Sequence, residues 1–352
     1  MYSKRTLKST VANLPATLCS ACVFLLFTAL CSPANSATPQ SEVKPQDALL
    51  SDYTYPYPVK FYEFESQQQP LRMAYMDVAP EQKPAKGTVV LLHGKNFSGA
   101  YWQRTIETLT SQGFRVIAPD QIGFGKSSKP AQFQFSFQAL ASQTNELLEK
   151  LGITKAYIAG HSMGGMLATR FALMYPEKIH KLVLINPIGL EDWKLYVPYQ
   201  SIDQAIAQEQ QQTPGKVKAY MTKAYFDGQW KPEYDALLAI QGGWTIGPDA
   251  DRIASIDAHT SDMVFTQPVV YEFSKLRAPT LLIIGTRDKT AIGRNRAPAS
   301  IQQRLGRYDQ LGKKIAREIP DAELVELAGV GHVPQFEAFG PYMEAFSKFL
   351  TR

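Results

Sequence analysis

Beyond residue 31 the chain contains no cysteine: all three, Cys19, Cys22 and Cys31, fall in its opening segment. That excludes disulfides, thiolate catalysis and cysteine metal ligation from everything downstream. Histidine is also scarce, at five residues, and the five form no cluster, so neither a metal nor another cofactor is expected. An excess of one charge is missing as well. The 37 Lys and Arg against 32 Asp and Glu leave a formal +5, and no nucleic-acid partner is expected from so even a balance.

The opening segment differs from the rest. Lys4, Arg5 and Lys8 precede an apolar run from Ala16 to Leu30, followed by the small residues of "SPANSA". Positive, apolar and small, in that order, read as a secretory signal over residues 1–37, cleaved near Ser36 or Ala37. An uncut membrane anchor is the alternative, but the run is short for a bilayer span. A lipidated cysteine fits poorly, with Leu30 directly before Cys31 and Cys19 three before Cys22. The expectation is a secreted or periplasmic protein with no stable membrane insertion after cleavage. Loss of Lys4, Arg5 and Lys8, with no acid in the segment, takes the charge from +5 to +2.

Residues 38–58 are Pro-rich and polar, ending "YTYPYPVK", and read as an extended lead-in. Then "VKFYEFE" and "LRMAYMDVA", separated by "SQQQP", predict a strand pair. After them come nearly continuous apolar runs, "TVVLLHG", "FRVIAPD", "AYIAGHS", "KLVLINP" and "PTLLIIG", with helical stretches between most of them. Strands apolar on both faces and alternating with helices predict an α/β fold, a mostly parallel central sheet covered by helices on both sides. Function in such sheets sits at the carboxyl ends of the strands. From residue 187 to 274 the alternation stops, in a Gln-rich and aromatic segment carrying Trp193, Tyr196, Tyr220, Tyr225 and Trp230. It reads as a helical cap inserted between two sheet strands, with the core formed by residues 59–186 and 275–352.

Within "GHSMGG", Ser162 stands among glycines directly after the run "AYIAG" and before the helical "MGGMLATRFALMY". Glycine tolerates positive φ and close backbone approach, so these glycines predict a tight turn with the serine at its tip. A G-x-S-x-G pattern alone is weak, arising by chance in about one chain of this length in ten. The strand-turn-helix context is what its mechanism requires, and the helix N-terminus favours developing negative charge. A serine hydroxyl still needs a base. His161 adjoins the serine but points elsewhere, His93 follows an earlier strand, His180 precedes a strand and His259 lies in the cap. His332, in "AGVGHVPQFE", sits on a Gly-rich loop that should emerge at the same sheet edge. A carboxylate must orient that base. Asp288 in "LLIIGTRDKT" lies just past a buried strand, with an ion pair to Arg287 as its competing explanation, while the strand "KLVLIN" ends in Asn186 rather than an acid.

From residue 60 to its end the chain resembles the α/β-hydrolase family, in the elbow "GHSMGG", the loop "LLHG", "PDQIGFGKS", "GTRD" and "GHVPQFE". The resemblance implies an oxyanion hole built from the backbone amides of Lys95 and Met163, and it leaves Asp120 and His93 the work of orienting loops. It also implies acyl transfer through Ser162, His332 and Asp288 on a small-molecule substrate. Haloalkane dehalogenases and epoxide hydrolases place aspartate where this chain has Ser162. Proline iminopeptidases carry a Gly-Gly-Pro-Gly loop where this chain reads "HGKNFSG". Carboxylesterases and carbon-carbon bond hydrolases remain, with an ester of an apolar or aromatic compound the favoured substrate. A ligand-binding module with a vestigial triad is the non-enzyme alternative. The Lys95 side chain is expected either to reach solvent or to attract a substrate carboxylate.

Overall fold

The computed structural model describes residues 43–352; the expected signal segment and the start of the lead-in lie outside the described residues. Eight strands form one sheet: β1 (Val59–Ser66), β2 (Gln69–Val78), β3 (Thr88–Leu92), β4 (Arg115–Pro119), β5 (Ala156–His161), β6 (Ile179–Ile185), β7 (Thr280–Gly285) and β8 (Ala322–Leu327). Their spatial order is β1-β2-β4-β3-β5-β6-β7-β8. β1, β2 and β4 pair antiparallel, and from β4 through β8 every pairing is parallel.

Alternation along each central strand explains the two-sided core. Val89 and Leu91 of β3, with Leu281 and Ile283 of β7, face one layer built on α1 (Gln103–Ser111). Val90, Leu92, Leu282 and Ile284 face the other, built on α2 (Phe137–Lys150) and α3 (Met163–Met174). Each fully buried Val, Leu or Ile contributes about 1.5–3 kcal/mol, so these runs belong inside a sheet covered on both faces.

Between β6 and β7 the chain runs through α4 (Ile202–Glu209), α5 (Pro214–Tyr225), α6 (Asp235–Trp244) and α7 (Ala250–Thr266). Local sequence starts two of these. Ser201 and Gln204 form a reciprocal capping box on α4, and Thr213 caps α5 with Pro214 in its first turn. The helices cover the carboxyl ends of the strands through an apolar cluster in which Val217, Met221 and Phe226 meet Phe97 and Val333. After β7 follow α8 (Ala299–Gln302), α9 (Tyr308–Glu318), α10 (Pro334–Glu337) and α11 (Phe339–Thr351); α9 joins the layer of α2 and α3, and α11 that of α1.

The described part of the lead-in is a strap tying cap to core. Gln46 N–H donates to Gly243 O at 3.1 Å, Trp244 Nε1 donates to Asp47 O at 2.9 Å, and Tyr55 donates its hydroxyl to Asp120 Oδ2 at 2.7 Å. Leu50 of the strap is fully buried. Among the described residues no helix is long and apolar enough to cross a membrane.

Candidate active site

Ser162 is held in a backbone conformation that side chains rarely adopt, with φ 56° and ψ −120°. The turn closes only because glycines flank it. A Cβ on Gly160 would lie 2.0 Å from Gly164 O, and one on Gly164 would lie 2.2 Å from Leu92 O. The chain therefore passes from β5 into α3 against the end of β3, leaving the serine at the first turn of the helix.

His332 and Asp288 arrive on the loops after β8 and β7. These loops pack closely: Arg287 N–H donates to Val330 O at 3.0 Å, and a Cβ on Gly285 would stand 2.4 Å from Gly331 O. His332 donates from Nδ1 to Asp288 Oδ2 at 2.6 Å, which leaves Nε2 to accept from the Ser162 hydroxyl at 2.9 Å. All three side chains are buried. The three residues singled out from the sequence thus meet in one hydrogen-bonded chain. Asp288 is not the partner of Arg287, whose guanidinium bonds Glu337 and Gly329 O.

Two residues that the sequence did not flag complete the carboxylate's surroundings. Asn186 Nδ2 donates to Asp288 Oδ2 at 2.9 Å, while Thr290 donates its backbone N–H and its hydroxyl to Oδ1 at 2.8 and 2.7 Å. Burial alone would raise the Asp288 carboxyl, but the His332 charge and hydrogen bond, with those of Asn186 and Thr290, hold it below its ordinary value. It stays ionised where an imidazolium would need it.

A second chain links the loop after β3 to His332. Gly94 N–H donates to the Tyr101 hydroxyl at 3.1 Å, and that hydroxyl donates to His161 Nδ1 at 3.0 Å. His161 Nε2 in turn donates to His332 O at 2.7 Å. Desolvation takes His161 down to about 3, with the His332 charge adding to the effect, so His161 is a neutral strut. His93 is likewise structural, Nδ1 donating to Gly94 O and Nε2 accepting from Gln121 N–H. Asp120 accepts from Gly99 N–H, Lys126 N–H and Tyr55 and fixes that loop.

Of the two amides expected to form an oxyanion hole, neither has a protein acceptor among the described residues. Met163 N–H opens α3, where helical geometry supplies no partner, and the neighbouring Gly94 amide is already engaged by Tyr101. The Lys95 side chain corrects the expectation. It neither reaches bulk solvent nor stands free for a substrate carboxylate, because it is 13% exposed and ion-paired with Asp257 of α7. Glu209 of α4 hydrogen-bonds the same aspartate, and desolvation first, then the Asp257 charge, pushes Glu209 up to about 7.

The cap closes over the site. The Tyr225 ring lies on His332 with centroids 4.8 Å apart and planes at 31°. Burial pushes the hydroxyls of Tyr220 and Tyr225 up, so both remain neutral donors. Tyr220 nevertheless keeps 53% of its surface accessible. Its ring meets that of Tyr225 edge-on, with centroids 5.5 Å apart.

A buried serine hydrogen-bonded to a histidine–carboxylate pair, beside two unclaimed amides, can carry an acyl group. Residues 87–339 match the sequence model of the alpha/beta hydrolase fold. The chain is an α/β hydrolase. A probable hydrolytic enzyme from Pseudomonas aeruginosa PAO1 shares 49% sequence identity, with a TM-score of 0.85 over 87% of this chain and 98% of that one. Lipase 1 of Psychrobacter immobilis is 26% identical over 74% of this chain and 76% of its own length. Lipase 3 of a Moraxella species is 27% identical over 71% and 73%.

Proposed function

We propose that this α/β hydrolase is a secreted or periplasmic serine carboxylesterase acting on esters of small apolar or aromatic compounds. The observation that carries the reading is the continuous chain from Ser162 Oγ through His332 to Asp288, at 2.9 and 2.6 Å. Ser162 Oγ attacks the ester carbonyl while His332 Nε2 takes its proton, and the carbonyl electron pair moves onto oxygen. The Lys95 and Met163 amides receive that oxyanion, a role in which one donor is typically worth about 3 kcal/mol of transition-state stabilisation. Collapse of the intermediate expels the alcohol, protonated by His332, and leaves Ser162 acylated. Water, deprotonated by His332, then attacks the acyl carbonyl, and the second collapse returns the proton to Ser162 and frees the acid. Asp288 stays ionised and stabilises the imidazolium in both halves.

Ester rather than amide or carbon-carbon cleavage is supported by the lipase names of two relatives, and by a signal-like amino terminus, since a secreted enzyme meets esters more readily than intracellular ring-cleavage products. The Tyr225 ring of α5 over His332 suits an apolar or aromatic substrate part. A fluorophosphonate probe tests the activated serine: wild type should label with stoichiometry one, and Ser162→Ala and His332→Ala should not. Absence of labelling in the wild type would overturn the reading.

A further inference from the structure

The Lys95 amide sits at the tip of a turn that its own backbone holds only at the base. The turn runs from Gly94 to Phe97, closed by Phe97 N–H donating to Gly94 O at 3.2 Å, and Tyr101 fixes its first residue through Gly94 N–H. The tip is untied. Among the described residues no backbone N–H or C=O of Lys95 or Asn96 is hydrogen-bonded to protein. Asn96 also has φ 64°, in the left-handed region that residues other than glycine seldom enter, although Asn does so more readily than most. Such a conformation persists only where its surroundings hold it.

What holds it is the Lys95 side chain. Lys95 Nζ donates to Asn96 Oδ1 at 3.3 Å, tying the side chain to its own turn, and is ion-paired with Asp257 of α7. Lys95 and Asp257 are 13% and 15% exposed, so water screens the pair little and breaking it would strand a charge. Glu209, the last residue of α4, hydrogen-bonds Asp257 as well. A continuous polar path therefore leads from two cap helices to a core turn that carries an expected oxyanion donor.

We propose that Asp257 is a positioning residue for the hydrolysis: through the Lys95 side chain it holds the Lys95 amide where the oxyanion forms, so that the site is complete only while α7 is seated on the core. This role rests on the esterase reading of Ser162 and adds to it a dependence on the cap. Asp257 touches no reacting atom. Its effect belongs to the transition state, where the carbonyl oxygen gains charge, and so enters kcat rather than KM. Lifting α7 would break the pair and free the tip, which ties turnover to a closed cap.

Asp257→Asn keeps the side-chain size and a hydrogen-bonding group for Glu209 while removing the charge that Lys95 meets. On p-nitrophenyl acetate it should lower kcat by about tenfold to a hundredfold, as for an oxyanion donor displaced rather than deleted, with KM nearly unchanged. p-Nitrophenyl thionoacetate supplies the specific readout. Its sulfur accepts hydrogen bonds more weakly than the carbonyl oxygen it replaces and gains less from the amide, so the ester-to-thionoester rate ratio should fall together with kcat. Lys95→Met combined with Asp257→Asn removes both charges and strands neither, and it carries the test if Asp257→Asn does not fold. The double variant should unfold in urea near the wild-type midpoint yet keep the lowered kcat and ratio. A wild-type kcat in either folded variant, or a fall in kcat with the ratio unmoved, would overturn the proposal. A wild-type protein that reacts with the fluorophosphonate but turns over neither substrate contradicts the ester reading alone. The labelling rate then decides, falling in both variants if Asp257 positions the amide and matching wild type if it does not.

Discussion

Asn186 at the end of β6 donates to the same Asp288 oxygen that accepts from His332, while its own Oδ1 accepts from Gly285 N–H at 2.9 Å. The carboxamide thus pins the carboxylate to the backbone of the neighbouring strand. Asn186→Leu removes a hydrogen bond to a charged group, worth about 1.5–3 kcal/mol. We expect kcat/KM to fall roughly tenfold to a hundredfold, mostly through kcat. Steady-state kinetics on one good ester would check this, and an unimpaired variant would mean that Thr290 alone suffices to hold Asp288.

Tyr101→Phe deletes a hydroxyl that serves two partners. Gly94 N–H and His161 Nδ1 would both be stranded in a buried setting, costing about 1–3 kcal/mol of stability. The loop that positions the Lys95 amide loses its tether at the same time, so kcat should drop more than KM rises. Urea unfolding and kinetics on the same preparation separate the two effects.

The carboxyl of Glu209 stands at about 7 in the folded protein against an ordinary 4.5. A raised acid binds more protons folded than unfolded between those values. Its stabilisation is therefore complete below pH 4.5 and is lost as pH rises through about 7. The slope reaches at most about 1 kcal/mol per pH unit. His161, lowered to about 3, acts with the opposite sign, its neutral fold losing stability as pH falls. Comparison with Glu209→Gln cancels that background. The variant should gain stability relative to wild type from pH 4.5 to 7 in urea titrations, and a constant difference would show that Glu209 does not titrate there.

Gly164→Ala should fail to give a native protein. Its Cβ would stand 2.2 Å from Leu92 O and 2.6 Å from His93 O, and backbone rather than a flexible side-chain end would have to move. The loss should exceed the about 1–3 kcal/mol usual for overpacking. Circular dichroism with a thermal scan reads the outcome.

The sheet was legible because β3 to β7 are short apolar runs whose alternation puts Val89 and Val90 on opposite faces, and that pattern has few other uses. Ser162 and Asp288 were legible because each lies just past such a strand, and His332 because it sits in a glycine-bearing loop between the strand β8 and the last helices. Asn186 and Thr290 were not. Asn186 was noted only as the absence of an acid, and nothing local announces that an amide just past β6 will reach a carboxylate 102 positions later. The Tyr101–His161 strut is hidden for the same reason, being a contact between residues 60 positions apart. The Lys95 side chain was misread because its partner, Asp257, belongs to the cap, and sequence position says nothing of which cap helix descends on which core loop.

On the proposed reading Ser162 is an activated acyl acceptor. Its most direct test is hydrolysis of p-nitrophenyl esters of graded acyl length by the wild-type protein, with Ser162→Ala purified and assayed alongside. Ester turnover is expected in the wild type and should fall to the uncatalysed background in the variant, with a burst of p-nitrophenol where deacylation limits the rate. Turnover that survives in Ser162→Ala, or a wild-type protein inert towards every chain length, would contradict it.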